Sequence, residues 1–134
     1  MKYVIFIIGL LLFSCTEDTL NHKEIELCTE PWQASKNANS ISIDGDIISI
    51  TAGYLPTCDE VSFTLCWNGT FMESNPPQIS AHFSAENEDN CQEFGQETIK
   101  FDLSPVKEQY MEVYPTGGET VVVNVGGRTG NYQF

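Results

Sequence analysis

The chain has 134 residues, with 19 Asp and Glu against 6 Lys and Arg for a formal charge of -13, and 41% of its residues are apolar. That length allows one small domain, and the apolar share sets it apart from intrinsically disordered chains. The charge excludes nucleic acid as a default partner, because phosphate neutralisation needs clustered Lys and Arg, and an acidic surface is repelled by anionic lipid headgroups as well.

The chain opens with Lys2, an apolar run from Tyr3 to Phe13, and then Ser14 and Cys15. Charge, apolar stretch and small residue in that order are the parts of an export signal. The run is about half the ~20 residues that a membrane-spanning helix needs. Its end, Leu12-Phe13-Ser14-Cys15, resembles the lipobox of bacterial lipoproteins. The resemblance implies that residues 1–14 are removed as a signal peptide, that the Cys15 thiol receives a diacylglyceryl group, and that the new amine is acylated by a palmitate-type chain. The alternative is an ordinary secretory signal cut near Cys15. Lipid would supply the membrane attachment that an acidic surface cannot, since each buried methylene contributes about 0.8 kcal/mol. Asp directly after the acylated Cys often marks inner-membrane retention in such lipoproteins. Thr16 stands there instead, so the resemblance implies the outer membrane, with the leaflet left open.

With Cys15 assigned to lipid, Cys28, Cys58, Cys66 and Cys91 remain. An even number in an exported chain fits two disulfides, each worth about 2–4 kcal/mol. The spacings are too wide for the close Cys pairs of structural zinc. Four cysteines allow three pairings. If residues 61–67 return antiparallel as 78–86, Cys58 and Cys91 come to the same end of the ribbon, which favours Cys58 with Cys91 and Cys28 with Cys66.

Residues 15–27 read as the lipidated Cys and a flexible polar tether, and 28–134 as a single domain. Residues 33–40 read as a polar loop. Beyond it, period-two alternation dominates. Ile41 and Ile43 turn through Asp44-Gly45 to Ile48 and Ile50, as in a hairpin. Val61, Phe63, Leu65 and Trp67 share a face that ends at Asn68-Gly69. Ile79, Ala81, Phe83 and Ala85 form another such face, as do Ile99, Phe101 and Leu103, then Val121, Val123 and Val125. Tyr132 and Phe134 alternate after a glycine-rich turn. One helix is predicted near 105–114: Ser104 caps it, Pro105 suits its first position, Val106, Tyr110 and Val113 share a face, and Pro115 stops it. The expected fold is all-β, a two-sheet antiparallel sandwich of six or seven short strands with one short helix, the alternative being a small open barrel.

Chemistry-bearing motifs are sparse. Glu86, Glu88 and Asp89, joined by Asp59 and Glu60 if Cys58 pairs with Cys91, gather the oxygen ligands of a Ca²⁺ site, though the spacing is not that of an EF-hand. The bland alternative is a solvated acidic loop tip. No other cofactor is indicated. His22 and His82 lack a local nucleophile partner, and the Gly126-Gly127-Arg128-Thr129-Gly130 stretch precedes a strand where a phosphate loop needs a helix. Trp32, Trp67, Tyr54, Tyr110, Tyr114 and Tyr132 offer rings for an aromatic platform, with Trp67 patterned for the core. The expectation is a non-enzymatic envelope protein with an unidentified protein or glycan partner, the alternative being a carbohydrate-binding or Ca²⁺-dependent ligand module.

Overall fold

The computed structural model describes residues 22–29, 35–54, 62–86 and 95–134. In chain order these form β1 (Lys23–Glu24), β2 (Glu26–Leu27), β3 (Ser40–Asp44), β4 (Ile47–Tyr54), β5 (Ser62–Trp67), β6 (Gln78–Glu86), β7 (Gly95–Asp102), α1 (Ser104–Val113), β8 (Thr120–Val125) and β9 (Arg128–Gln133). One sheet has the order β1-β7-β4-β3 and the other β2-β5-β6-β8-β9. The signal segment, Cys15, Cys58, Cys91, Glu88 and Asp89 lie outside the described residues.

The alternating strands do what their sequences dictate. Ile48 and Ile50 of β4 and Phe101 of β7 turn inward from the first sheet, and Leu65, Phe83 and Val123 meet them from the second, all fully buried. Burying each such side chain contributes about 1.5–3 kcal/mol, which is why the period-two faces specify register as well as stability. The β3–β4 hairpin pairs Ile41 with Ile50 and Ile43 with Ile48 across a turn at Gly45, where φ is +57°. A sandwich-like all-β fold with one helix is therefore the architecture.

Three features differ from the sequence expectation. The sheets are mixed: β1 with β7, β2 with β5, and β6 with β8 run parallel. A parallel pair needs a crossover. For β6 and β8 that crossover is β7 plus α1, which returns the chain at the helix end of the sandwich so that β8 must run the same way as β6.

Residues 23–27, expected in the tether, belong to the sandwich. Lys23 and Glu24 pair with Phe101 and Asp102 of the first sheet, and Glu26 and Leu27 with Cys66 and Trp67 of the second. Ile25 between them is buried, with its N–H on the Asp102 carbonyl at 3.0 Å. One buried side chain in a run of exposed ones leaves no period to read.

The helix begins at Ser104, one residue before the expected start, so that Leu103 and not Ser104 is its N-cap residue, and Ser104 donates both its N–H and its hydroxyl to Asp102 Oδ1. Val106 and Tyr110 are buried while Val113 is exposed, because the last turn runs past the edge of the core.

The glycine pair at 126–127 closes the β8–β9 hairpin with φ of +57° and +77°. Both values favour glycine, since a Cβ in the left-handed region meets its own backbone. At Gly126 a Cβ would also lie 2.6 Å from the Ala38 nitrogen and 2.7 Å from the Lys36 oxygen. The chain at 35–39 packs that closely because it pairs across the sandwich edge: Ala38 N–H bonds the Gly126 carbonyl at 2.9 Å and Asn39 N–H the Thr51 carbonyl at 2.8 Å. The polar stretch is a loop as expected, and these bonds make it a strap.

Candidate ligand crevice

The two ends of the sandwich handle their polar groups differently. At the helix end, Asp46 sits in the β3–β4 turn and gathers three elements. Its carboxylate accepts from Lys107 Nζ of α1 at 2.8 and 3.0 Å and from the Tyr132 hydroxyl of β9 at 2.7 Å. Its carbonyl accepts the Leu103 N–H at 2.7 Å. The hydrogen bonds from Lys107 and then Tyr132 hold the Asp46 carboxyl below its ordinary value, and burial followed by the Asp46 bond pushes the Tyr132 phenol far up. An acid held anionic by a lysine and a neutral phenol fastens the β3–β4 turn to α1 and β9.

The aromatic platform expected from sequence is inside this end. Phe71 stands edge-on to Trp67, Tyr110 and Tyr114 with centroids 5.4 to 5.8 Å apart, and Phe134 stands edge-on to Tyr110 and Tyr132. Trp67 is core as patterned, but Tyr110 and Tyr132 are buried too, and Tyr114 packs partly buried against them. The rings cap the sandwich where α1 crosses it, and the quadrupole prefers that edge-on geometry to an open stacking surface. Trp32 and the ring of Tyr54 lie outside the described residues.

At the opposite end the strands end unevenly. The last β6–β8 pair is Ala81 with Val125; β8 then turns into β9, while β6 runs on to Glu86. Beside the unaccompanied stretch of β6 the strap attaches, with Lys36 N–H on the Phe83 carbonyl at 2.7 Å and Phe83 N–H on Ser35 Oγ at 3.1 Å. Between strap, β6 and the β8–β9 hairpin lies a crevice of about 370 Å³, within the range of small-ligand sites.

Polar side chains in its lining are already ordered. Asn124 Nδ2 donates to Gln78 Oε1 at 3.1 Å and to the Ile79 carbonyl at 3.2 Å, and its Oδ1 accepts from the Thr129 hydroxyl at 2.9 Å. Arg128 Nε donates to the Ala38 carbonyl at 3.1 Å. Asn37, Ser80 and His82 complete the walls, and no carboxylate is among the described residues that line the crevice. His82, expected on the polar face, is half-buried on β6 opposite Cys66.

Of the residues singled out by sequence, Cys28 and Cys66 are joined by a disulfide that ties the end of the N-terminal arm to β5. The antiparallel β5–β6 ribbon, with Ser62 opposite Glu86, meets the premise of a Cys58–Cys91 pairing; both of those cysteines lie outside the described residues. So do Glu88, Asp89 and the carboxylate of Glu86. Among the described residues no three His, Cys, Asp or Glu side chains are grouped to hold a metal, and no helix is long and apolar enough to cross a membrane. Sequence reading missed the crevice; the available signal was that Arg128 is the chain's single arginine. Comparison with family profiles, curated proteins and solved structures finds no match.

Proposed function

We propose that the chain is a small cell-envelope protein, held at the outer membrane by lipid on Cys15, whose role is to bind and not to catalyse. The observation that supports binding is the crevice, where polar side chains are fixed by one another and face a ligand-sized volume. The Cys28–Cys66 bridge supports export, since disulfides persist in oxidising compartments.

Intact mass measurement of the protein extracted from membranes tests the anchor. The expected product lacks residues 1–14 and carries diacylglycerol and an acyl chain at Cys15; a bare thiol or a retained leader contradicts the proposal. Non-reducing peptide mapping is expected to find Cys58 joined to Cys91 beside the Cys28–Cys66 bridge.

A carbohydrate-binding role is the second reading, favoured by the hydroxyl and amide groups of the crevice. Its Ca²⁺-dependent form rests on Glu86, Glu88 and Asp89 and is tested by calorimetric titration with Ca²⁺, where silence disposes of it.

A further inference from the structure

A protein of charge -13 has few cations to spare, and where each one goes is informative. Lys107 is bound to Asp46, and Lys23 lies 3.9 Å from Glu26 and reaches the Phe63 carbonyl. Lys100 is exposed on β7, and what sets Arg128 apart from these lysines is that it lines the crevice. It is exposed at the rim of the crevice, and its Nε bond to the Ala38 carbonyl is its one hydrogen bond among the described residues, with no ion pair. That bond engages the inner nitrogen of the guanidinium and leaves its two Nη groups without a hydrogen bond among the described residues.

A guanidinium held in this way presents parallel donors at the spacing of a carboxylate's two oxygens, and the resulting bidentate pair is charge-assisted and directional. A lone oxyanion would use little of a crevice of about 370 Å³. The rest of the wall offers the Asn37 amide and the Ser80 hydroxyl, groups that both donate and accept, and the Thr129 oxygen as an acceptor, and so matches the hydroxyls of a sugar ring. None of the described residues of this lining is a carboxylate, in a chain with 19 of them, so an anionic ligand meets no like charge from those residues.

From this we propose that the crevice binds a carboxylated sugar, a hexuronate or similar sugar acid, with its carboxylate on the Arg128 fork and its ring hydroxyls on the strap and β6. The proposal rests on the reading of the crevice as a binding site and narrows it to one ligand class.

The test is titration of the full mature chain, ¹⁵N-labelled, with glucuronate, glucose, acetate and phosphate, following the amide signals of Gly126, Gly127 and Thr129 and the Nε–Hε signal of Arg128. Glucuronate is expected to give saturable shifts at these positions, glucose and acetate to bind more weakly, and phosphate to move the Arg128 signal without saturating the strap. Arg128→Gln is expected to weaken glucuronate about tenfold to a hundredfold, the range for charge-assisted hydrogen bonds, and Arg128→Lys to restore only part of it because the fork is lost. Equal binding of glucose and glucuronate, unaffected by Arg128→Gln, overturns the sugar-acid assignment while leaving the crevice as a binding site. Saturable phosphate binding tighter than glucuronate overturns it in favour of a plain oxyanion. No shift at the crevice with any probe overturns both this assignment and the reading beneath it.

Discussion

The helix end and the crevice end are built from the same strands and differ in what their polar groups face. At the helix end, Asp46, Lys107 and Tyr132 satisfy one another, Gln109 Nε2 reaches the Gly69 carbonyl at 2.7 Å, and a group of aromatic rings fills the space under α1. At the crevice end, Asn124 and Thr129 are also satisfied, but they are arranged around a gap, with the outer edge of Arg128 left for something else. The lesson is that a sandwich gains stability where a crossing element covers the ends of its strands. The proposed site lies where β8 stops short of β6 and the strap bridges the difference.

Substitutions can break or sharpen that contrast. Trp67→Ala removes the largest ring at the helix end, and the cavity left beside Phe71 is expected to cost about 3–5 kcal/mol in chemical denaturation. Replacing Cys28 and Cys66 together by Ser frees the N-terminal arm and is expected to cost about 2–4 kcal/mol, with hydrogen exchange at Ile25 speeding up most. Gly126→Ala forces a Cβ toward the strap backbone at positive φ and is expected to cost about 1–3 kcal/mol, with shifted amide signals at Lys36 and Ala38 reporting where the strain goes.

Asp46→Asn keeps the shape of the helix-end fastening and loses its charge. Because that fastening is partly exposed, the expected cost is about 1–2 kcal/mol. The pH dependence follows from the direction of the shift. The Asp46 carboxyl titrates lower in the folded chain than its ordinary 3.8, so its contribution is fully present above that value and is lost as pH falls through the folded pKa. The wild-type denaturation midpoint is therefore expected to fall more steeply than that of Asp46→Asn below about pH 4.

How much of this was legible beforehand depends on how each feature is encoded. Strands such as β6 and β8 announce themselves because Ile79, Ala81 and Phe83, or Val121, Val123 and Val125, are buried at every second position. The Cys28–Cys66 bridge was reachable only as the pair left over once the antiparallel β5–β6 ribbon assigned Cys58 to Cys91. The parallel pairing of β6 with β8 was not reachable, because adjacency of strands from different hairpins is decided by where α1 returns the chain. Tyr132 was offered as a platform ring because a tyrosine buried with its hydroxyl on Asp46 looks in sequence like one exposed to solvent. The crevice was illegible for a related reason. Ser35, Asn37, Ser80 and Thr129 are ordinary surface residues on three separate stretches, and only the fold makes them neighbours.

The separation of a stabilising end from a binding end is tested most directly by one experiment, glucuronate affinity and melting temperature recorded side by side for wild type, Asp46→Asn and Arg128→Gln. The predicted result is a melting point lowered by roughly 5 °C with unchanged affinity for Asp46→Asn, and lost affinity with a smaller thermal change for Arg128→Gln. Loss of affinity in Asp46→Asn, or an Arg128→Gln variant that melts early yet binds as wild type does, would contradict it.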